Sequence, residues 1–173
     1  GQEVSKRKID IAKLCRSNEL DPESNYAFGE GGAGTFSDGK LFTRSTKRGD
    51  VSKILQVFCH HGASENILID AHPHIGTDVL PTVIKNMRET IIQSGGHVLF
   101  EHKVTDILIE NDHITGVVVN ENDNILSRNV ILATGHSARD IYHMLDKKNI
   151  QLESKTWAMG VRVEQPQDLI DQM

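Results

Sequence analysis

The chain has 173 residues, of which 38% are hydrophobic and 5% aromatic, and its formal net charge is −5 at pH 7. This length suits one domain. The acidic balance argues against a nucleic-acid surface, because phosphate binding needs a basic face. Two cysteines are too few for a disulfide framework, so we expect a reduced, cytoplasmic setting. No apolar run is long enough to span a membrane, and no signal peptide is visible.

Helical periodicity is clearest in four segments, 4–14, 51–59, 78–93 and 137–147. Thr77 or Asp78 is expected to cap the third helix, with Pro81 in its first turn. The basic stretch 6–8 is expected on the solvated side of the first helix.

Strand patterns dominate the second half of the chain, at 97–100, 104–110, 114–119, 129–133 and 157–163. Residues 121–124 have turn chemistry. The short spacing predicts an antiparallel meander for the middle strands, and 97–100 resembles a parallel strand of a larger sheet. The predicted fold is therefore α/β, with a three-stranded antiparallel meander and flanking helices.

A glycine run spans residues 29–41 and holds five glycines. Gly29, Gly31 and Gly34 spell the dinucleotide fingerprint G-x-G-x-x-G, but a polar segment with Pro22 precedes them where a buried strand is needed. Residues 34–40 spell most of a P-loop, but Leu41 replaces the Ser or Thr that binds Mg²⁺. The remaining interpretations are a flexible surface loop and a rigid loop that touches a cofactor by another geometry.

A second candidate site follows the apolar run 129–133, which ends at Thr134-Gly135 before a helix. Ligands in open α/β sheets bind at the carboxyl ends of strands, beside helix N-termini. Many strands also end in glycine for structural reasons alone.

Together, these segments resemble the two-dinucleotide-domain flavoproteins, specifically the FAD-dependent, NAD(FAD)-utilising dehydrogenases. The match rests on residues 28–41, 73–78, 96–107 and 130–140. In that family, the phosphate-binding fingerprint lies on a first strand near the beginning. The present chain opens on Gly1 without that strand, so we expect residues 1–173 to be a central fragment of a Rossmann-like FAD-binding oxidoreductase. Within it, 45–95 would be an inserted helical, substrate-side segment and 96–140 the FAD-domain strands and meander.

The resemblance implies FAD as cofactor, allows NAD(P)H as electron donor, and leaves the small-molecule substrate open. It assigns Lys40 to a negative flavin locus or an acidic substrate, and His74 to proton transfer on the substrate side. His136 is expected to contact cofactor phosphate or to cap the following helix. The cofactor-binding residues it implies are Gly31, Gly32, Gly34, Ser37, Gly39, Lys103, Val104, Ala133, Thr134 and Gly135.

Other interpretations stay open at this level. Lys40 also suits a surface salt bridge, and His74 suits a plain loop histidine. Asp70, His72 and His74 could form a metal site, but they lack a fourth ligand at helical spacing, and no metal is predicted. As a whole, the chain suits either a flavoenzyme segment or a flavin-free, non-catalytic α/β module. A fragment exposing apolar surface would favour self-association, and neither nucleic acid nor membrane is expected as a partner.

Overall fold

The structure is a computed structural model that describes residues 1–37, 39–42, 49–161 and 163–172. The chain divides into two compact units, Gly1–Ala138 and Arg139–Met173. The described residues of the first unit form three α-helices, a short 3₁₀ helix and a three-stranded sheet. Its helices are α1 (Val4–Ser17), α2 (Val51–His60) and α3 (Leu80–Gln93), with the 3₁₀ helix at Glu65–Leu68. The second unit contains α4 (Arg139–Lys147) and α5 (Gln167–Ile170).

The sheet is an antiparallel meander of β1 (Val104–Glu110), β2 (His113–Val119) and β3 (Asp123–Leu126), in that spatial order. Val104 pairs with Val119, and Val119 pairs with Asp123 on the other side. Irregularities in the β1–β2 register fall between Val104 and Asp106 and between Leu108 and Ile109. The fold is α/β with helices before and after a three-stranded antiparallel sheet. It is consistent with the partial Rossmann-like domain that the resemblance implies.

Side-chain caps begin two of the predicted helices. The Glu3 carboxylate accepts a hydrogen bond from the Lys6 amide at 3.1 Å, and Asn18 ends α1 with a left-handed φ of 58°. Asp50 accepts from the Ser52 and Lys53 amides at the start of α2. Hydrogen bonds from Ser52 and Lys53 lower the pKa of Asp50, because they stabilise its charged form. Such caps satisfy amide groups that have no partner within the helix.

Helix α3 starts differently from the prediction. Neither Thr77 nor Asp78 is its N-cap, which is Val79 and makes no side-chain hydrogen bond. A turn at Gly76 replaces the cap, because the Gly76 carbonyl accepts from the amides of Val79 and Leu80. Pro81 does lie in the first turn, as predicted.

The main core of the first unit lies between α2, the 3₁₀ helix and α3. Its buried members are Ala63, Ile67, Ile75, Leu80 and Val83. Leu41, Leu55, Phe58, Cys59, Ile84 and Met87 pack against it from the side. Two loop residues, Leu41 and Ile75, thus join the helical core, and this anchors the loops that carry them.

Three of the predicted strands are wrong. Residues 97–100, 129–133, 157–161 and 163 lie outside any strand among the described residues, and residue 162 lies outside the described residues. A strand needs a neighbour to pair its backbone N–H and C=O groups, so an alternating apolar pattern alone does not make one. The third strand of the meander is instead Asp123–Leu126, which overlaps the turn predicted at 121–124.

In the described part of the chain, no helix is long and apolar enough to cross a membrane.

Candidate functional site

The first part of the glycine run, residues 29–37, forms a loop that we call the glycine loop. Arg7 of α1 anchors this loop. The Arg7 side chain is fully buried and donates three hydrogen bonds to backbone carbonyls. Nε donates to Asn25 at 2.9 Å, Nη1 to Glu30 at 2.7 Å and Nη2 to Tyr26 at 3.1 Å. Its guanidinium carbon also lies 5.2 Å from the centroid of the Phe36 ring. Arg7 therefore fixes both the approach to the glycine loop and the loop itself.

The burial of Arg7 corrects the expectation of a solvated face at 6–8. Lys6 and Lys8 are exposed, but Arg7 is not. Val4 and Ile11 are the other buried residues of α1, and Arg7 lies three residues after the first and four before the second. The apolar stripe of the helix could therefore have placed Arg7 on its inner face. Burial lowers the pKa of the guanidinium, because a charged group loses hydration there.

Glu30 anchors the start of the glycine loop to two helices. Its carboxylate accepts from the Val4 amide of α1 at 2.8 Å and from Arg88 of α3 at 3.0 Å. Arg88 also pairs with Glu3 at 3.2 Å. The pKa of Glu3 is lowered overall. Burial acts to raise it, but the hydrogen bond from Arg88, with those from Lys6 and Ser5, outweighs this.

The loop itself is a succession of turns. Gly32 donates to the Gly29 carbonyl at 3.1 Å and Ser37 donates to the Gly34 carbonyl at 3.2 Å. Gly31 has a φ of 83°, and a Cβ there would collide with the side chains of Thr35 and Ile84. At Gly34, in contrast, a Cβ would meet nothing within 4 Å. The packing of the protein therefore requires glycine at residue 31 but not at residue 34.

Neither nucleotide motif has its expected geometry in the described residues. Residues 18–28 contain only the isolated bridge between Asp21 and Ser24, so no strand leads into G-x-G-x-x-G. Turns rather than a helix follow the fingerprint, and Lys40 lies in extended backbone rather than at a helix start. Asp38, within the P-loop spelling, lies outside the described residues. Of the interpretations left open by the sequence, the rigid loop agrees best with these contacts.

The two candidate catalytic residues, Lys40 and His74, are brought together by a short antiparallel ribbon. They face each other in an isolated β-bridge. Leu41 donates to the Pro73 carbonyl at 2.9 Å and Ile75 donates to the Gly39 carbonyl at 2.9 Å. These two bonds flank the Lys40–His74 pair, which is therefore a non-hydrogen-bonded pair, the kind whose Cα atoms lie about 4.5 Å apart.

The ribbon has one buried and one exposed face. Gly39, Pro73 and Ile75 are buried, and Leu41 packs against the core. Lys40 and His74 alternate with them and are exposed. Phe42 and His72 are exposed as well, with their ring centroids 4.8 Å apart at a tilt of 48°. We call the exposed side chains of Lys40, Phe42, His72 and His74 the ribbon face.

Gly39 is essential to this arrangement. It has a left-handed φ of 62°, and a Cβ there would run into the Ile75 carbonyl oxygen. Any side chain would therefore separate the two segments of the ribbon.

The other predicted site residues occupy different places. Both backbone polar groups of Lys103 bond to Asn120. The Lys103 amide donates to the side-chain oxygen of Asn120 at 2.9 Å, and the backbone amide of Asn120 donates to the Lys103 carbonyl at 2.8 Å. The Lys103 ammonium pairs with Glu23 at 2.6 Å. Val104 opens β1. Ala133, Thr134, Gly135 and His136 are exposed and lie outside any strand or helix.

Several residues of the loop and ribbon have the chemistry to hold one side of FAD. Gly31 and Gly34 expose backbone that a flat or phosphorylated group can approach, and Lys40 offers a positive charge. The Ser37 hydroxyl donates to the Gly34 carbonyl at 3.0 Å, which leaves its oxygen as an acceptor. The buried Thr35 hydroxyl has no hydrogen-bond partner, and such a group costs about 1–3 kcal/mol in a finished core. These observations fit a loop shaped for a ligand as well as for packing.

The described residues contain no group of three or more His, Cys, Asp or Glu side chains placed to hold a metal ion. His72 and His74 lie on one face of the ribbon, but they do not form with Asp70 the metal site that the sequence left open.

A comparison with known families identifies the class of protein. A family described as glucose inhibited division protein A matches residues 81–167, just over half of the chain. This match includes α3 from its second residue onward, the sheet and α4, and it lies outside the glycine loop. The chain belongs to the glucose inhibited division protein A family, which is of the FAD-binding oxidoreductase type.

A relative covers the glycine loop too. It is a protein of Clostridium beijerinckii, described as an uncharacterized protein, that is 43% identical to this chain over 171 residues. The match includes 99% of this chain and 32% of the relative, so the chain spans about a third of the length of the curated relative it matches.

Proposed function

We propose that this chain forms part of an FAD-dependent oxidoreductase of the dehydrogenase type, in which the glycine loop faces the cofactor and the ribbon face meets the substrate. The observation that carries this proposal is the Lys40–His74 pair, which lies directly after the glycine loop and is fixed by two backbone hydrogen bonds. A cation and a proton-transferring side chain beside a cofactor loop are what dehydrogenation of a small molecule requires. Family membership supports the same chemistry.

The residues of the loop and those of the ribbon have different roles in this proposal. The backbone at Gly31, Gly32 and Gly34 lets the cofactor approach closely. Lys40 stabilises negative charge on the flavin or on an acidic substrate, and His74 holds or releases the substrate proton. When bound, FAD supplies the acceptor for a hydride equivalent. NAD(P)H is the alternative source of this hydride, and in that case the small molecule would accept the electrons from the reduced flavin instead of donating them. A reducing, cytoplasmic setting agrees with the free thiols of Cys15 and Cys59.

A second candidate function is a flavin-free, non-catalytic module. The absence of a strand–turn–helix arrangement around G-x-G-x-x-G in the described residues favours it, because that arrangement is the usual pyrophosphate site. Exposed apolar side chains, Ile131 in the first unit and Val161 in the second, also suit surfaces that another polypeptide covers.

Flavin retention separates the two candidates. The purified chain is incubated with excess FAD and desalted, and its visible absorption is recorded. The proposed function predicts retained flavin bands near roughly 370 and 450 nm. Gly34→Leu should abolish retention, because a side chain at this open position would occupy the cofactor's approach, whereas Gly160→Leu, also in open space, should not. A colourless wild-type chain would favour the non-catalytic module.

A further inference from the structure

The glycine loop has an inner side that packs against α3 and an outer side that is open. On the inner side, a Cβ at Gly31 would collide with the Thr35 hydroxyl oxygen and with the Ile84 side chain of α3. On the outer side, a Cβ at Gly32 or Gly34 would meet nothing within 4 Å. Thr35 and Ile84 therefore both lie against Gly31, on the side of the loop that faces the helix.

The Thr35 hydroxyl is a polar group in a place that gives it no partner. The residue is 0% exposed, and its Oγ1 atom makes no hydrogen bond in the described part of the chain. Ser24, which is also buried, donates its hydroxyl to Asp10 at 2.7 Å. An unpartnered hydroxyl keeps its full desolvation cost, and valine, which has nearly the same shape, would avoid that cost. Packing alone therefore does not explain threonine at this position.

The segment around Thr35 can change conformation between two fixed ends. Arg7 holds both ends, because it donates to the Glu30 carbonyl at 2.7 Å and its guanidinium carbon lies 5.2 Å from the centroid of the Phe36 ring. Between these ends, residues 31–34 are glycine or alanine and carry almost no side chain that must be repacked. The Thr35 amide donates to a carbonyl of the loop at 3.4 Å, which is long for such a bond. A rearrangement of this segment thus breaks few contacts.

We propose that residues 31–35 have a second conformation, adopted when FAD binds, in which the Thr35 hydroxyl leaves its buried place and donates a hydrogen bond to an oxygen atom of the cofactor. This inference deepens the proposed function and rests on it for the identity of the ligand. The acceptor is a phosphoryl oxygen or a flavin carbonyl oxygen, since a hydroxyl donates to either. The hydroxyl exchanges an unsatisfied state for a bonded one, and this difference favours the bound conformation. Thr35 is thus a cofactor-binding residue that the described conformation keeps covered.

The first part of the test measures stability without FAD. Thr35→Val keeps the shape of the side chain and removes the hydroxyl. We therefore expect the folding equilibrium constant of the 173-residue chain, measured by urea titration, to rise about tenfold. Thr105→Val is the matched control, because the half-buried Thr105 hydroxyl accepts from the Glu121 amide at 3.0 Å. It should bring no such gain.

The second part measures the affinity for FAD by titration, followed by flavin fluorescence. Thr35→Val should weaken FAD binding about tenfold, because valine has no donor. Thr35→Ser keeps the hydroxyl and should bind FAD within about threefold of wild type, as should Thr105→Val. A residue with a structural role alone would not raise stability and lower affinity in the same variant.

Two smaller probes identify the acceptor. ADP has the phosphates without the flavin, and riboflavin has the flavin without the phosphates. Both are titrated into wild type and into Thr35→Val. The probe whose affinity falls in the variant carries the oxygen that accepts from Thr35.

Either of two results would overturn the inference and leave the proposed function intact. The first is a Thr35→Val chain that is no more stable than wild type, which would mean that the hydroxyl is satisfied without FAD. The second is equal affinity of Thr35→Val and wild type for FAD. A wild-type chain that binds no FAD would instead overturn the proposed function, and the role of Thr35 toward the cofactor with it. Wild-type FAD binding therefore distinguishes the two failures.

Discussion

At the scale of single residues, the glycines of the loop and the ribbon differ in whether the packing of the protein requires them. The packing of the protein requires glycine at residue 39, because its left-handed φ of 62° and the nearby Ile75 carbonyl leave no room for a Cβ. Packing does not require glycine at residue 34, since a Cβ there meets open space. A glycine that the fold itself does not need is a better candidate for ligand contact than one that it does.

This difference predicts opposite effects of the same substitution. Gly39→Ala should lower the free energy of unfolding by about 2 kcal/mol or more, because both the backbone strain and the collision oppose the ribbon. Gly34→Ala should change it by less than about 0.5 kcal/mol. Urea denaturation followed by circular dichroism measures both. Equal destabilisation by the two alanines would contradict the assignment of Gly39 to packing.

The family resemblance, together with residue type, predicted Lys40 and His74 as candidates, but not their pairing. They are 34 positions apart in the chain, and the bridge that joins them rests on long-range backbone hydrogen bonds that no local pattern encodes. Phe42 was missed for the same reason, and His72 was considered only as a possible metal ligand. Arg7, in contrast, could have been recognised from its place between Val4 and Ile11 on the buried stripe of α1.

At the scale of elements, helices were predicted well and strands less well. The segments 4–14 and 51–59 correspond to α1 and α2, because helical hydrogen bonds are local and periodicity reports them directly. β1 was placed at its observed bounds and β2 within one residue, since a short turn joins them into a hairpin. β3 was missed because Asp123 and Asn124 are typical turn residues.

Helix α1 is tied to the glycine loop chiefly through Arg7, so the loop should depend on this one side chain. Arg7→Met keeps the apolar stem but leaves the carbonyls of Asn25, Tyr26 and Glu30 without their donor. We expect a loss of about 3 kcal/mol or more in the free energy of unfolding. Arg16→Met, in the exposed last turn of α1, is the control and should cost less than about 0.5 kcal/mol in the same urea titration. Similar losses for both variants would contradict this role of Arg7.

A second link between elements runs through Asn120. It clamps the segment before β1 by accepting from the Lys103 amide and donating to the Glu101 carbonyl at 3.0 Å. Asn120→Gly keeps the left-handed backbone, whose φ is 49°, and removes only the side chain. Amide hydrogen exchange should then become at least about tenfold faster at Lys103, with little change at Ile107 in the middle of β1. Unchanged exchange at Lys103 would show that the clamp does not hold this segment.

At the scale of the whole molecule, the first unit is joined by charged groups from distant parts of the sequence. Arg88 of α3 pairs with Glu3 beside α1 and with Glu30 in the glycine loop. Its guanidinium carbon lies 5.4 Å from the centroid of the Phe100 ring. These contacts couple the helical core to the loop that we assign to the cofactor.

The lowered pKa of Glu3 gives this network a pH dependence. Its ordinary value is 4.5, and the pKa is lower in the folded chain. The stabilisation is therefore complete above about pH 4.5 and is lost as the pH falls through the folded pKa. Glu3→Gln should lower the free energy of unfolding by about 1 kcal/mol at pH 7 and reduce its decline on acidification. The exposed Glu19→Gln is the control and should show the wild-type decline in urea titrations at several pH values. An unchanged decline in Glu3→Gln would exclude this contribution.

The most direct test of the central claim is hydrogen–deuterium exchange of the chain with and without FAD. The account predicts slower exchange in residues 29–37, 39–42 and 72–76, where the glycine loop and the ribbon would be covered or rigidified by the cofactor and its neighbours. Exchange in α5 should not change. Protection confined to other segments, or none at saturating FAD, would contradict the assignment of the loop and ribbon to the cofactor side.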